Sequence, residues 1–576
     1  MPNGNKQSVQ NTSDYIFSPQ HASIVCIGAG VSGIALAIEL QQKLEDFELC
    51  IYEKNSDIGG TWLENRYPGC ACDVPAHAYT YTFEPNPEYS QYYVGSSEIH
   101  DYLTKVVQKY DIRKYIHFNH KLVSAIWSKT LGVWDLDVEV SSQEDVPSTT
   151  IIKRSCNILI NAGGVLNNWK WPEIPGLHDF RGPLIHSAQW QHDQDLHNKT
   201  VAVIGAGSSG VQIIPALQPI AAKLYAFIRS PTWIAPSRGF IDPPGEANGK
   251  IDMVYTDEDK KKFRDDPDYF LQYRKSIESN LNRIIDVFLK DSQRQAGARQ
   301  VFADTMKARL GADSVLVEKL IPSHSVGCRR LTPGQGFLEA LRAPNVEVVT
   351  SETERAVADG LITTDGLLLK VDAIVCATGF DTSCRPRFRL VGEDAVDLAE
   401  LWKNSDDVEA YLALGIPRFP NYFMFIGPNA PISNGTLIPV IERQASYMSS
   451  MIRRKYQRQR TKSFSPSVRA TALLNQHHQK ALQRYVWTDS CKSWYKSGKK
   501  EGKVIGPWPG SSLHYFEAIA DPKYEDWEYT YWNNEADSVG KLGVDGMWQY
   551  LGNGSTLAEL EDERTGGKED LAWYLG

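Results

Sequence analysis

Ser23-Ile-Val-Cys-Ile-Gly28-Ala-Gly30-Val-Ser-Gly33 is a short apolar run that feeds a G-x-G-x-x-G turn. Outward from it, residues 34–44 have helical composition, and residues 49–52 read as a second strand that ends at Glu53, twenty residues after Gly33. Strand, glycine turn, helix, strand and terminal acid make a βαβ unit built to hold a dinucleotide. The first glycine permits the tight turn, the second lets backbone approach a pyrophosphate, and the third lets the helix pack on the strand. Glu53 then reaches a ribose hydroxyl. The same three glycines break the nearly apolar residues 22–40 into strand, turn and helix, so this stretch is not read as a membrane span.

Val201-Ala-Val-Ile-Gly205-Ala-Gly207-Ser208-Ser209-Gly210 repeats the design later in the chain. Its second strand ends not in an acid but in Phe-Ile-Arg229-Ser230. A carboxylate repels a 2′-phosphate and an arginine clamps it, so this unit favours NADPH over NADH. Two dinucleotide sites in one chain imply FAD in the first and NADPH in the second.

The rest of the chain limits the alternatives. With 576 residues, 42% hydrophobic, it exceeds what one core serves and predicts two or three substructures. A net charge of −9 without a dominant basic block speaks against a nucleic-acid partner. Nine scattered cysteines lack the dense spacing of a disulfide scaffold and fit a reducing compartment, most of them as small buried apolar residues. Cys70 and Cys72 form C-x-C without a second half of metal-ligand spacing, so no metal is expected. The polar first twenty residues lack a signal-peptide pattern and read as a disordered extension, and a cytoplasmic protein without integral membrane association is expected.

Residues 252–318 are rich in Lys, Asp, Arg and Gln, with Ile277, Leu281, Ile284 and Leu289 near helical spacing, and predict a helical insertion. Residues 371–380 read as a buried strand running into a glycine turn where the chain crosses back to its first unit. The expected fold class is α/β, two Rossmann-like dinucleotide-binding domains with a helical insertion in the second. The expected layout is an extension over 1–20, FAD-binding parts over 21–160 and 384–576, NADPH-binding parts over 161–240 and 323–383, and the insertion over 241–322. The segment after Asp521 carries no interpretable motif.

Gly59-Gly-Thr61-Trp62-Leu63-Glu64-Asn-Arg66-Tyr67-Pro68-Gly69-Cys-Ala71-Cys72-Asp73 resembles the tract that follows the first dinucleotide unit in Baeyer-Villiger monooxygenases. Phe180-Arg-Gly182-Pro-Leu-Ile-His186-Ser-Ala-Gln-Trp190 resembles that family's F-x-G-x-x-x-H-x-x-x-W fingerprint, with Gln191 where the pattern has Pro or Asp. Gly327-Cys-Arg329-Arg330-Leu-Thr-Pro-Gly-Gln-Gly336 looks like its basic pair, Cys491-Lys-Ser-Trp494-Tyr495 like its S-W tract, and Ile426-Gly-Pro-Asn429 like its flavin-side turn. The likeness runs over residues 22–515 and is nearest in texture to the fungal secondary-metabolism branch.

The resemblance implies an FAD- and NADPH-dependent enzyme that inserts one oxygen of O₂ beside a ketone carbonyl through a C4a-peroxyflavin, on a small-molecule polyketide or terpenoid. It implies Arg330 as the catalytic cation and Asp73 as the acid that orients it. Thr61, Trp62, Leu63, Glu64, Asp73, Val74 and Tyr79 are implied at the flavin. Ala71, Cys72 and Trp494 are implied at the nicotinamide cofactor, beside the second unit's own glycines, Ser208, Ser209, Arg229 and Ser230. Phe180, Gly182, His186 and Trp190 are implied in the linker. The nearest alternative is an N-/S-oxygenating or hydroxylating flavin-containing monooxygenase, against which Trp190 and Arg330 argue. A pyridine-nucleotide disulfide reductase needs a redox C-x-x-C or an equivalent close pair, and the C-x-C of Cys70 and Cys72 has the wrong spacing. A flavin-binding redox sensor without turnover does not account for intact glycine motifs beside Arg330.

Overall fold

The structure is a computed structural model that describes residues 15–141, 148–191, 193–236, 254–532 and 546–575. Strands buried on both faces suit a parallel sheet, and each glycine motif begins one. Ala22–Ile27 is the middle strand of a five-stranded parallel sheet in the order Tyr422–Met424, Ile158–Asn161, Ala22–Ile27, Phe47–Glu53, Ile116–Phe118. Ile27 lies beside both Tyr52 and Asn161, which aligns the carboxyl ends of three strands along one edge. The helix Val31–Lys43 buries Ile34, Leu36, Ile38 and Leu40 and packs against the helix Leu437–Met451.

The second sheet repeats the plan, also with five parallel strands: Val346–Val349, Lys223–Phe227, Thr200–Ile204, Ala373–Cys376, Leu184–His186. After Ala373–Cys376 the chain returns to supply Tyr422–Met424 to the first sheet. A third sheet, His120–Ser128, Val133–Ser141 and Thr149–Cys156 in antiparallel order with Arg389–Val391 parallel at its edge, buries Trp134 and Leu136.

Among the described residues, the α-helices Asp257–Asp265, Pro267–Arg283, Gln293–Leu310 and Val315–Leu320 and the 3₁₀ turn Ile284–Phe288 lie between the short paired strands Ile234–Ala235 and Thr332–Pro333. Local signals set the first two: Thr256 and Asp259 form a reciprocal capping box, and Asp266 caps a helix whose first residue is Pro267. Of the expected apolar face, Ile277 is fully buried and Leu281, Ile284 and Leu289 are half-buried. The helices are not a detached bundle. Phe263, Phe270 and Tyr273 ring His77, and Glu278 accepts the Thr436 hydroxyl at 2.5 Å. The start of the expected insertion, up to residue 253, lies outside the described residues.

Residues 15–20, expected to be disordered with the rest of the extension, are bonded in place. Ile16 and Phe17 donate their amides to the carbonyls of Ser555 and Tyr550, and Phe17 stacks on Tyr550 at 5.2 Å. The polar composition around them hides a short Tyr-Ile-Phe cluster whose partner is over five hundred residues away. Residues 1–14 lie outside the described residues. Among the described residues, no helix is long and apolar enough to cross a membrane.

Candidate active site

Both glycine turns leave the start of a helix open. Gly28 holds φ at +104°, and a Cβ there would lie 2.7 Å from the Ala162 carbonyl oxygen. A Cβ on Gly33 would come within 2.0 Å of Gly28 O, so helix and strand touch through bare backbone. A Cβ on Gly30 would lie 3.5 Å from Gly60 Cα. The helix Val31–Lys43 has Gly30 as N-cap, with no side-chain cap and no acid in its first turn. Gly205, Gly207 and Gly210 reproduce this: φ is +113° at Gly205, a Gly210 Cβ would sit 2.0 Å from Gly205 O, and one at Gly207 would meet nothing within 4 Å. The helix Ser208–Leu217 likewise starts uncapped and without an acid. Open amides at the positive end of a helix dipole suit a pyrophosphate, so both turns fit a dinucleotide.

Glu53 is 3% exposed, and its carboxylate accepts the amides of Ala29 at 2.8 Å and Asn55 at 2.9 Å. Burial pushes its pKa up while those two amides pull it down. The acid is therefore fixed at the rim of the first turn, each oxygen keeping a lone pair for a ribose hydroxyl.

The tract after this unit bridges the two sheets. Thr61–Glu64 forms one helical turn, with Leu63 half-buried and Glu64 accepting from Asn55 and Lys54. Trp62 donates its indole N–H to the Tyr79 hydroxyl at 3.3 Å, edge-on to the ring. Tyr67 donates to Gln212 Oε1 at 2.8 Å, and Gln212 Nε2 donates to the Ala71 carbonyl at 2.9 Å. A Cβ on Gly69 would lie 2.6 Å from Gln212 O, so the tract docks directly on the helix of the second unit. Cys72 donates its amide to Val94, and Cys72 and Val74 are buried on either side of Asp73.

Asp73 meets Arg330 at this junction. Arg330 Nε donates to Asp73 Oδ2 and Nη2 to Oδ1, both at 2.8 Å, and Nη1 donates to the Ile432 carbonyl at 2.9 Å. The Arg330 side chain is 35% exposed and that of Asp73 20%, so the pair is fixed in place and only partly covered. Asp73 pushes the guanidinium pKa further up, against the effect of burial, so the charge is permanent. Tyr495 is buried nearby, its phenol pushed up to about 12 by burial while Arg330 pulls it down.

At the second unit, Arg229 is mostly exposed and lies 3.7 Å from Glu352, and Ser230 is half-buried beside it. Arg329 donates to the Pro231 carbonyl and to Thr232 Oγ1, both at 3.3 Å. Burial, and secondarily the Arg229 charge, lowers the Arg329 pKa. Two arginines that repel each other at the end of a dinucleotide-binding strand are arranged for an anion between them, and a 2′-phosphate fits. Ser208 shares a hydrogen bond with Thr332 at 3.2 Å, and Trp494, half-buried, lies 4.8 Å from the Tyr495 ring.

The linker residues are built in rather than exposed. His186 ends the edge strand Leu184–His186, is 1% exposed, stacks on Trp169 at 4.5 Å and meets Trp171 edge-on. Burial lowers its pKa to about 4, and Thr378 lies 3.3 Å from its Nε2. Phe180 is buried, a Gly182 Cβ would meet Asp372 O at 2.3 Å, and Trp190 packs on the second core.

Several residues of this region escaped the sequence reading. Arg329 carried the signal, since it adjoins Arg330, but its side faces the other nucleotide site. Trp169 and Trp171 form a W-x-W pair that nothing local ties to His186. Cys328 and Cys491 form a disulfide across 163 residues, against the reducing compartment that the cysteine pattern suggested, because an odd count and irregular spacing do not reveal a distant pair.

Two uncapped dinucleotide turns, one bordered by an acid and the other by arginines, with a fixed cation where their sheets meet, define a flavin- and nicotinamide-dependent oxidoreductase. Residues 21–240 match the Flavin-binding monooxygenase-like family. The FAD-binding monooxygenase stcW of Emericella nidulans is 38% identical over 96% of this chain and 88% of its own length. A Baeyer-Villiger monooxygenase of Streptomyces coelicolor is 31% identical over 86% and 90% respectively. The crystal structure of cyclohexanone monooxygenase from Rhodococcus sp. Phi1 bound to NADP+ superposes with a TM-score of 0.73 at 25% identity, over 89% of this chain and all of that one. The chain belongs to the Baeyer-Villiger branch of the flavin-binding monooxygenases, with FAD and NADPH as cofactors.

Proposed function

We propose that this monooxygenase inserts one oxygen atom of O₂ beside the carbonyl of a small-molecule ketone, giving an ester or lactone, and that its substrate is a polyketide or terpenoid intermediate of secondary metabolism. The observation that carries this reading is the Arg330–Asp73 fork, a permanent charge fixed in place and still partly exposed. The first sheet is the FAD-binding part and the second, with its inserted helices, the NADPH-binding part. When bound, the flavin takes the hydride from NADPH and supplies the activated oxygen.

The protein's own groups place and stabilise charge. Arg330 presents donors to the oxygen that turns negative as the carbonyl is attacked, and a preorganised donor of this kind acts most strongly where charge develops in the transition state. Asp73 holds the plane of the guanidinium through two bonds, which fixes where those donors point. Glu53, Trp62 and Tyr79 border the flavin site. Arg229 and Arg329 clamp the 2′-phosphate, and Ala71, tied to Gln212, keeps the bridging tract against the NADPH helix. His186, neutral and stacked on Trp169, acts as a rigid linker and not as a proton donor.

The test is turnover of a bulky cyclic ketone with NADPH under ¹⁸O₂, followed by mass spectrometry. A product two mass units heavier than under ¹⁶O₂, with the label in the ester ring, supports the reading. Oxygenation of amines and sulfides alone, with no ester from any ketone tried, overturns it.

A further inference from the structure

Cys328 lies two residues before Arg330, and Cys491 four residues before Tyr495, and the two are joined as a disulfide. The stretches they belong to approach each other twice. At one end is the S–S bond, where Cys328 is fully buried and Cys491 is 4% exposed. At the other, Leu331, the residue after Arg330, packs against the buried apolar cluster that contains Tyr495. Beside the bond, Ser325 donates its hydroxyl to Asp489 Oδ2 at 2.5 Å, and Asp489 also holds Lys290 at 3.1 Å. The far side of the arginine turn is tied to the inserted helices, where Gln295 Nε2 donates to the Val326 carbonyl at 2.9 Å. Gly327, between them, sits at φ +85° with Phe288 against it.

The turn that carries Arg330 is therefore hung between mobile kinds of contact, hydrogen bonds and ring packing, and one covalent bond. We propose that Cys328 and Cys491 are positioning residues for oxygen transfer: their disulfide staples the Arg329–Arg330 turn to the Ser493–Tyr495 segment and so sets where the Arg330 donors point. The inference rests on the role given to Arg330 above. Misplacing a reacting group by about 1 Å costs on the order of a hundredfold in rate, so a staple at this point acts on chemistry even if the fold survives without it. Burial keeps the bond from ready attack by a thiolate, and a dithiol reaches it only when the segment opens. Reduction breaks the S–S bond: the dithiol gives up two electrons and two protons, leaving two cysteine thiols and an oxidised, cyclic reagent.

The experiment begins with alkylation of free thiols in the denatured, unreduced holoenzyme, followed by peptide mapping. A linked peptide pair containing Cys328 and Cys491 is expected, and alkylation of both overturns the proposal outright. Ester formed per NADPH consumed is then measured for the oxidised enzyme, for enzyme reduced with a dithiol, for the same sample reoxidised, and for the double variant Cys328→Ser/Cys491→Ser. Reduction and the double variant are expected to lower that ratio about tenfold or more while NADPH oxidation continues, and reoxidation to restore it. A purely structural bond lowers thermal stability and leaves the ratio in the folded fraction unchanged, which overturns the positioning role. If Arg330→Ala makes ester normally, the functional reading fails and this one with it. If Arg330→Ala is inactive and the ratio is insensitive to the disulfide, this inference alone fails.

Discussion

The guanidinium of Arg330 and the carboxylate of Asp73 share two parallel hydrogen bonds of 2.8 Å, although 257 residues separate them in the chain. A fork of this kind fixes direction as well as distance. Arg330→Ala is expected to lower ester formation by about a hundred- to a thousandfold, the usual loss for one preorganised charged donor. Oxidation of NADPH continues, with reduced oxygen released as hydrogen peroxide. Arg330→Lys keeps the charge but loses the fork and recovers only part of the activity. Parallel assays of ester, peroxide and NADPH check all three statements, and normal ester yield from Arg330→Ala contradicts them.

The charges of Arg229 and Arg329 oppose one another, and among the described residues the carboxylate paired with Arg229 is that of Glu352, at 3.7 Å. A phosphate between them relieves their repulsion, so Arg229→Ala is expected to weaken NADPH. Hydrogen bonds to charged groups contribute about 1.5–3 kcal/mol, which corresponds to roughly a ten- to hundredfold rise in the KM for NADPH. The KM for NADH, which lacks the 2′-phosphate, stays nearly unchanged. Steady-state kinetics with both nucleotides decide this, and an equal rise for both places Arg229 away from the phosphate.

What was legible in the sequence was what local chemistry dictates. Gly28, Gly33, Gly205 and Gly210 announce their turns because no other residue fits the backbone approach they make. Arg229 stood out because it ends a strand that an acid ends in the sister unit. The meeting of Asp73 with Arg330 was legible only through resemblance, since nothing near either residue names its partner. The Cys328–Cys491 bond and the stacking of His186 on Trp169 were not legible, because both depend on how segments that are distant in sequence pack. The anchoring of Phe17 on Tyr550 was missed for the same reason: composition describes a segment, and order in a polar segment depends on what lies against it.

Gly33→Ala tests the first cradle without touching a charged group. The new methyl would sit 2.0 Å from Gly28 O, so helix and strand have to part. Loss of this packing moves the open amides of the helix start away from the pyrophosphate. The purified variant is expected to lose most of its bound FAD, read as the ratio of flavin to protein absorbance, and to melt lower than the wild type. Full flavin content in Gly33→Ala would show that the turn tolerates a side chain and that the cradle lies elsewhere.

His186 gives a pH dependence whose sign follows from its burial. Its pKa falls to about 4 in the folded chain, against about 6.5 when unfolded. Between these values the unfolded chain carries a proton that the folded chain refuses, so stability falls as the pH drops through this window. Below about pH 4 the folded histidine is protonated as well and the loss levels off. His77, lowered to about 3 by burial in its aromatic ring, adds a second loss that extends further into acid. One such group gives a slope of about 1.4 kcal/mol per pH unit, so His186→Gln, which cannot take up the proton, is expected to flatten the decline by about that amount. Chemical denaturation at several pH values between about 6.5 and 4.5 measures the slope. A variant that declines as steeply as the wild type would show that His186 accepts its proton in the folded state, and the rigid, neutral linker proposed for it would have to be abandoned.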